Sequence, residues 1–311
     1  MRLLLYIVLF QTSVITLVPR AVKTDELPVQ VGMVLYLNAS AEHYKLQRGN
    51  EFKAVKPAMT LQEKDVLTLD CARNDNKPGS EEISINIQKA NNDKKITCKD
   101  SPYTLEGNHS TSPFKNFFNW GLSVIASTLD SVQSKPYSAI VRGDNSNSKS
   151  NKPLPLYMPL ICRTGGRMVA SRPDLYLTWI GGNPPYKFRM SVENETKIVA
   201  EQTGLDESRI ALKKLDLQPN SYKLVITDAR GHTLSRHFQV VSQDSLPMPE
   251  HVVLTNGKDQ RLKNFRETAY AAWLSDQDRG IWTLEAYQHI AGIAREYYPA
   301  ELLRRKLADG L

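Results

Sequence analysis

The second half of the chain contains the stretch that decides its fold, Leu175-Tyr-Leu-Thr-Trp-Ile-Gly-Gly-Asn-Pro-Pro-Tyr-Lys-Phe-Arg-Met-Ser-Val192. Apolar and polar side chains alternate on both sides of its central Gly-Gly-Asn-Pro-Pro segment. A period of two places one set of side chains on one face of a sheet, so each side predicts a half-buried strand. Glycine and proline favour a turn between the two strands.

The same alternation returns at Tyr222, Leu224 and Ile226, and the following Asp228-Ala-Arg-Gly231 predicts a second turn. We therefore expect residues 160–242 to form two packed antiparallel sheets, since several short alternating strands separated by turns are typical of a β-sandwich. The side chains expected to point inward are Trp179, Phe188, Tyr222 and Phe238. Modules of this kind more often bind or space other molecules than catalyse reactions.

Bulk composition sets limits on the class of protein. The chain has 311 residues, which is enough for two or three domains, and a net charge of +7 with a pI near 9.1. A positive charge mildly favours anionic partners. Lysine and arginine are scattered, however, and no basic helix carries interleaved aromatic residues, so we expect no nucleic-acid partner.

The N-terminus carries a targeting signal. Met1-Arg2 precedes a mostly apolar stretch over residues 3–18, which fits a secretory signal peptide and is short for a membrane span. Residues 1–21 are therefore either a cleaved signal peptide or a retained N-terminal anchor. Both alternatives predict an exported protein, periplasmic or anchored to the inner membrane by residues 3–18, with no other contact with the membrane.

Three cysteines follow, Cys71, Cys98 and Cys162, and their spacing does not fit a zinc site. Cys71 and Cys98 each end a β-like run, so in an oxidising compartment they are a candidate disulfide that stabilises the fold by roughly 3.5 kcal/mol. The alternative is that all three are small buried apolar residues. Cys162 would be left over, and it supports one enzymatic alternative: an extracytoplasmic hydrolase with Cys162 as nucleophile and a histidine within hydrogen-bond reach.

Residues 29–105 read as short strands, with Ile83, Ile85 and Ile87 opening a hairpin that returns over 94–98. The order of Val31-Gly32, Leu61-Gln-Glu-Lys-Asp-Val-Leu-Thr68 and this hairpin resembles a FecR-like domain. Lys64 stands where that family has glycine. The resemblance implies an all-β, non-catalytic domain of an envelope protein.

The turn from Gly181 to Tyr186, followed by Ser221-Tyr-Lys-Leu-Val-Ile-Thr-Asp-Ala-Arg-Gly231, resembles SprB-type adhesin repeats. Asn220-Ser221 stands where that family often has glycine before the tyrosine. The resemblance implies an immunoglobulin-like module of a bacterial extracytoplasmic protein, and it transfers no ligand.

Helical periodicity marks two further regions. Residues 113–133 have the apolar stripe of an amphipathic helix, which we expect to pack against the first β domain; the alternative is a surface that binds a membrane or a partner. Residues 260–311 predict a helical tail, with helices over 260–275, 283–294 and 300–308. The predicted organisation is 1–21 signal or anchor, 29–140 FecR-like domain, 141–159 linker, 160–242 Ig-like sandwich, 243–259 linker and 260–311 helical tail.

The tail concentrates large aromatic residues, and four of them are candidates for a partner interface: Trp273, Trp282, Tyr287 and Tyr297. A three-helix segment of this size buries only part of such a set by itself. The alternative is that the tail folds back onto the sandwich as a cap. The sequence shows no catalytic, cofactor or metal motif, so we expect a non-enzymatic, mainly β envelope protein for binding, scaffolding or sensing. Its expected partner is another envelope protein or a second copy of itself.

Overall fold

The computed structural model describes residues 29–71, 82–89, 93–107, 113–130, 154–162, 164–170, 172–195, 197–249 and 260–310. The predicted signal or anchor, residues 1–21, lies outside these ranges. Within them, no helix is both long and apolar enough to cross a membrane.

The first β domain consists of two four-stranded sheets whose strands pair antiparallel. One sheet has the order β4–β1–β6–β7 and the other β3–β2–β5–β8. The predicted hairpin is present as β6 and β7, in which Ile85 and Ile87 are buried. The strands are β1 (Gln30–Leu37), β2 (Tyr44–Arg48), β3 (Glu51–Ala54), β4 (Thr60–Gln62), β5 (Val66–Leu69), β6 (Ser84–Lys89), β7 (Asp93–Thr97) and β8 (Tyr103–Thr104).

A disulfide joins the two cysteines of this domain. Cys71 follows β5 and Cys98 follows β7, and their Cα atoms are 6.0 Å apart. That separation lies within the range that a disulfide spans. Cys162 is the free cysteine.

The second β domain is a sandwich of a five-stranded sheet, β12–β11–β14–β15–β9, and a two-stranded sheet, β10–β13. The four side chains expected to point inward, on or beside the strands, are all buried. One expectation is corrected, because β9 runs parallel to β15 and the larger sheet is mixed. The strands are β9 (Gly166–Val169), β10 (Asp174–Thr178), β11 (Tyr186–Val192), β12 (Ile198–Leu205), β13 (Arg209–Lys213), β14 (Asn220–Thr227) and β15 (Thr233–Val241).

A tyrosine corner marks this sandwich as immunoglobulin-like. Tyr222 lies near the start of β14, and its hydroxyl donates a 2.9 Å hydrogen bond to the carbonyl oxygen of Gln218. A tyrosine at this corner that bonds the backbone a few residues upstream is a hallmark of Ig-type sandwiches. Strands β12, β11, β14 and β15 take the order C′, C, F and G of that fold.

Four α-helices occur in the described residues: α1 (Pro113–Asp130), α2 (Gln260–Ser275), α3 (Thr283–Ala291) and α4 (Tyr298–Asp309). The expectation that α1 packs against the first β domain is met in part, because α1 contacts β1 and β4. Its main neighbour is α2, where Phe118 lies 4.9 Å from Phe265 between ring centroids, and it also touches β1 and α4. Gly121 permits this approach, since a Cβ there would lie 2.6 Å from the Phe265 ring.

Both predicted linkers are partly built into the fold. Tyr157 forms an antiparallel bridge with Ile180 and Met158 is fully buried, so the described end of the 141–159 segment belongs to the sandwich. After β15, the Tyr270 hydroxyl of α2 donates to the Pro247 carbonyl oxygen at 2.7 Å. A single apolar core therefore runs through the sandwich and all four helices.

Candidate functional site

The aromatic residues of the helical tail face the interior of this chain. Trp282, Tyr287 and Tyr297 are 1%, 4% and 7% exposed, and half-buried Trp273 stacks on Tyr270. Three of the four side chains predicted to form a partner interface are therefore unavailable for one. The structure instead agrees with the alternative that the tail folds back onto the sandwich, because α3 lies on β9 and β10.

Gln288 of α3 forms hydrogen bonds with the edge of the two-stranded sheet. Its side-chain oxygen accepts from the Tyr176 backbone N–H at 2.7 Å, and its side-chain nitrogen donates to the Tyr176 carbonyl oxygen at 2.9 Å. One amide thus satisfies both backbone groups that another strand would have paired.

Next to this contact, a buried carboxylate ties α3 to the sandwich. Glu285 is fully buried, and it accepts from the Val169 backbone N–H at 3.0 Å and from the Arg172 guanidinium at 2.8 Å. Burial by itself raises the pKa of Glu285, but hydrogen bonds from His289 and the charge of Arg172 outweigh it and lower the pKa. Glu285 is therefore ionised and compensated at neutral pH.

His289 joins this cluster to α2. Its Nδ1 donates to the Glu267 carboxylate at 2.7 Å, and its Nε2 lies 3.3 Å from Glu285 and 2.8 Å from Arg172. Burial lowers the pKa of His289, yet the hydrogen bonds with Glu267 and Glu285 prevail and raise it. The four side chains act as an ionic clamp between α2, α3 and the sandwich, and we call them the ion cluster.

The two motifs of the adhesin-like resemblance meet in space. Asp228 Oδ2 accepts from the backbone and side-chain nitrogens of Asn183 at 3.2 and 3.3 Å, and Oδ1 accepts from the backbone N–H groups of Arg230 and His232. Burial raises the pKa of Asp228, but hydrogen bonds from the side chain and backbone of His232, from Asn183 and from Arg230 outweigh it and lower the pKa. Asp228 is therefore a structural acceptor that joins two turns.

Metal-ligating side chains do not converge within the described ranges, where no group of three or more His, Cys, Asp or Glu has suitable geometry. Two exposed histidines near the strand β15 have separate carboxylate partners. His232 pairs with Asp228 at 3.1 Å, and His237 pairs with Glu193 at 2.8 Å.

Cys162 borders a cavity of about 440 Å³ between the sandwich, α1 and the tail. Its sulfur contacts Thr164 Oγ1 at 3.1 Å and the Gly165 carbonyl oxygen at 2.7 Å. In the part of the chain that the structure describes, no histidine lines this cavity. Within the described residues, the cavity therefore lacks the histidine base that the hydrolase interpretation of Cys162 requires.

A larger groove, with a volume of about 1160 Å³, lies where the first β domain, the sandwich and the tail meet. Its floor is the outer face of β10 and β13, where Tyr176 lies opposite Ala211. One wall is formed by α3, α4 and the loop between them, and the other by Tyr36 of β1 and Asn86 of β6. We call this feature the junction groove.

Tyrosine and arginine dominate the junction groove. Glu301 accepts two bonds from Arg304, at 2.7 and 2.9 Å, and one from Arg305 at 2.7 Å. The hydrogen bond from Arg304 is the main reason that the pKa of Glu301 is lowered. Lys213 lies over the Tyr176 ring at 4.5 Å from its centroid and bonds its hydroxyl at 2.6 Å. The five tyrosines of the lining are Tyr36, Tyr176, Tyr287, Tyr297 and Tyr298.

Sequence reasoning missed the junction groove because its residues come from five distant segments. Tyr287 and Tyr297 stand out as aromatic, but nothing in the sequence places them beside Arg209 or Tyr36. The one available signal is the net positive charge, which favours anionic partners without locating a site.

Comparisons with known proteins give fold similarities only. No family model matches the chain, and no curated protein matches it. An Ig-like β-sandwich protein of the DUF3244 family from Bacteroides vulgatus is 20% identical over 22% of this chain and 76% of that chain, with a TM-score of 0.19. CopC from Methylosinus trichosporium OB3b is 20% identical over 26% of this chain and 88% of that chain, with a TM-score of 0.20. Such low TM-scores carry no functional argument.

Proposed function

We propose that this protein is a non-enzymatic component of the bacterial cell envelope that binds or scaffolds another envelope component through the junction groove. The FecR-like and SprB-type resemblances support an extracytoplasmic β protein, and the apolar N-terminal stretch supports export. The Cys71–Cys98 bridge also suits an oxidising compartment.

The junction groove is the observation that carries this proposal. It is concave, it forms where separate structural units meet, and its lining is rich in tyrosine and arginine. Binding sites favour such junctions, and these two residue types dominate the energetic centres of interfaces.

The tail gives the groove a fixed shape. The Tyr297 hydroxyl donates to Gln88 Oε1 of the first β domain at 2.5 Å, while Gln288 holds the edge of the sandwich. Both contacts come from the tail that forms one wall. A ligand therefore meets a preorganised surface, which lowers the entropic cost of binding.

Photo-cross-linking in intact cells tests the proposal. A photoreactive phenylalanine replaces Tyr36 or Tyr298, which are 52% and 37% exposed at the groove, in the full chain. Phe52 of β3, 73% exposed and outside the lining, is the matched control position.

We expect adducts from the two groove positions in the envelope fraction and none from position 52. A protease-sensitive adduct would identify the partner as another envelope protein or a second copy of the chain, and a protease-resistant adduct would identify a non-protein envelope component. Equal labelling from all three positions, no adduct from the groove, or recovery of the protein in the cytosol would contradict the proposal.

A further inference from the structure

We infer that the occupant of the junction groove is a carboxylate-bearing polysaccharide, such as a chain of uronic acids. This inference rests on the proposed function and names the ligand class of the same site. It follows from the charge of the lining, from the exposed tyrosine rings and from the occupied edge of β10.

Cationic groups exceed anionic groups in the groove. The described lining has five basic and three acidic side chains, and one of the basic ones, Lys213, is paired with Asp174 at 2.6 Å. Glu301 is shared by Arg304 and Arg305, so their guanidiniums keep N–H donors that this single carboxylate does not use. Arg209 is close enough for the charge of Arg304 to affect its pKa, which its bond with Glu207 raises. The three guanidiniums form a cationic patch suited to planar carboxylates.

Tyrosine rings supply the second element of recognition. Tyr176 is held by Lys213, so this ring is fixed before any ligand arrives, whereas Tyr287 and Tyr297 are buried and offer no stacking face. Tyr36 and Tyr298 are more exposed. The C–H face of a pyranose ring is apolar and packs on an aromatic face, while its hydroxyl groups bond the polar rim. Alternating rings and carboxylates in one polymer match this arrangement.

A peptide added as a β-strand fits the groove less well. The edge of β10, where a peptide strand would be added, is bonded to Gln288 at Tyr176.

Isothermal titration calorimetry of the purified full chain tests the inference. The probes are hexameric polygalacturonate, hexameric polymannuronate and a hyaluronan hexasaccharide. Neutral maltohexaose and hexaglutamate are the controls for the sugar ring and for the acid group. We expect at least one uronate to bind, with affinity that falls as salt rises, and neither control to bind. Failure of all three uronates, or equal binding of hexaglutamate or maltohexaose, would overturn the inference.

Variants place the binding in the groove. R209Q combined with R305Q removes two exposed guanidiniums, and we expect it to weaken binding by about tenfold or more. Y298A should weaken it by about threefold or more through loss of stacking. R189Q on β11 removes one guanidinium from the outer face of the larger sheet and should bind like the unchanged protein, as should F52A. Unchanged affinity in R209Q/R305Q would also overturn the inference.

The two proposals fail separately. A protease-sensitive cross-link at Tyr36 or Tyr298, with no uronate binding, would remove the polysaccharide and leave a protein-binding groove. A protease-resistant adduct together with uronate binding supports both proposals. Absence of any groove adduct and of any uronate binding would remove both.

Discussion

Lys64 adopts a backbone conformation that usually requires glycine. Its φ is 68°, in the left-handed region that glycine adopts most readily. Its N–H donates to the Leu105 carbonyl oxygen at 2.8 Å. The next residue, Asp65, is buried and accepts from the Gln62 N–H and from the Arg48 guanidinium. The acceptor role of Asp65 follows from contacts that the sequence alone does not give.

We expect Lys64→Gly to stabilise the protein by about 0.5–1 kcal/mol. A side chain in the left-handed region costs about 1–2 kcal/mol, and part of that gain is offset by the greater freedom of glycine in the unfolded chain. The Lys64 side chain is exposed, so its removal loses little packing. Urea unfolding measures the change.

Gly49→Ala is the matched control, because Gly49 has φ = 58° and a methyl group added at its Cα would meet no atom within 4 Å. At Gly49 only the backbone conformation should matter, and alanine is disfavoured at positive φ, so we expect the Gly49→Ala variant to be less stable than the unchanged protein. An unchanged or lower stability for Lys64→Gly would show that relief of backbone strain does not outweigh the added freedom of the unfolded chain.

At the scale of elements, the sequence predicted the positions of helices and strands more accurately than it predicted which surfaces they pack against. Helix α2 occupies the predicted range, and β11 covers the predicted strand from Tyr186 to Val192. Periodicity identifies the apolar face of an element but not the surface that covers it. The ion cluster illustrates the limit: Glu285 and His289 are four apart on a predicted helix, whereas Arg172 is 113 residues from Glu285.

The ion cluster should give stability a defined pH dependence. The pKa of His289 is raised, so its contribution is complete below its ordinary value of 6.5 and is lost as pH rises through the folded pKa. The pKa values of Glu267 and Glu285 are lowered from 4.5, so their contribution is present above 4.5 and is lost as pH falls through the folded pKa values. We expect this cluster to stabilise the fold most between about pH 4.5 and 6.5.

His289→Gln should remove the decline in unfolding free energy above pH 6.5, as measured by urea unfolding at a series of pH values. It should also reduce stability at pH 6, because Glu285 then lacks one compensating charge while fully buried. His237→Gln, on an exposed strand face, is the control and should leave the alkaline slope in place. Persistence of that slope in His289→Gln would assign it to other groups.

At the scale of the whole molecule, the helical tail is part of the core. From the sequence, a partner interface and a cap on the sandwich are nearly equal alternatives for residues 260–311. The aromatic content predicts that these side chains are buried, but it does not tell whether this chain or a partner buries them. The structure places Phe265 against α1 and Trp282 beneath Arg167 of β9. The junction groove exists only because the tail brings the two β domains together, which is why no single segment predicted it.

Truncation after Asn256 is therefore expected to destabilise the protein as a whole. It removes α2, α3 and α4, which exposes the buried face of α1, including Phe118, Leu122 and Ile125. It also frees the edge of β10 that Gln288 satisfies. Exposed apolar area and an unpaired strand edge both favour aggregation.

Thermal unfolding and size-exclusion chromatography of the truncated and full chains measure the outcome. We expect a lower or absent unfolding transition and aggregation in the truncated form. Phe265→Ala, which keeps every helix, provides a graded comparison and should cost about 3–5 kcal/mol. If the truncated chain keeps its thermal stability and loses only a bound partner, the tail is a docking segment rather than a clamp. In that case the junction groove would also lose its structural basis, since its tail wall would not be fixed.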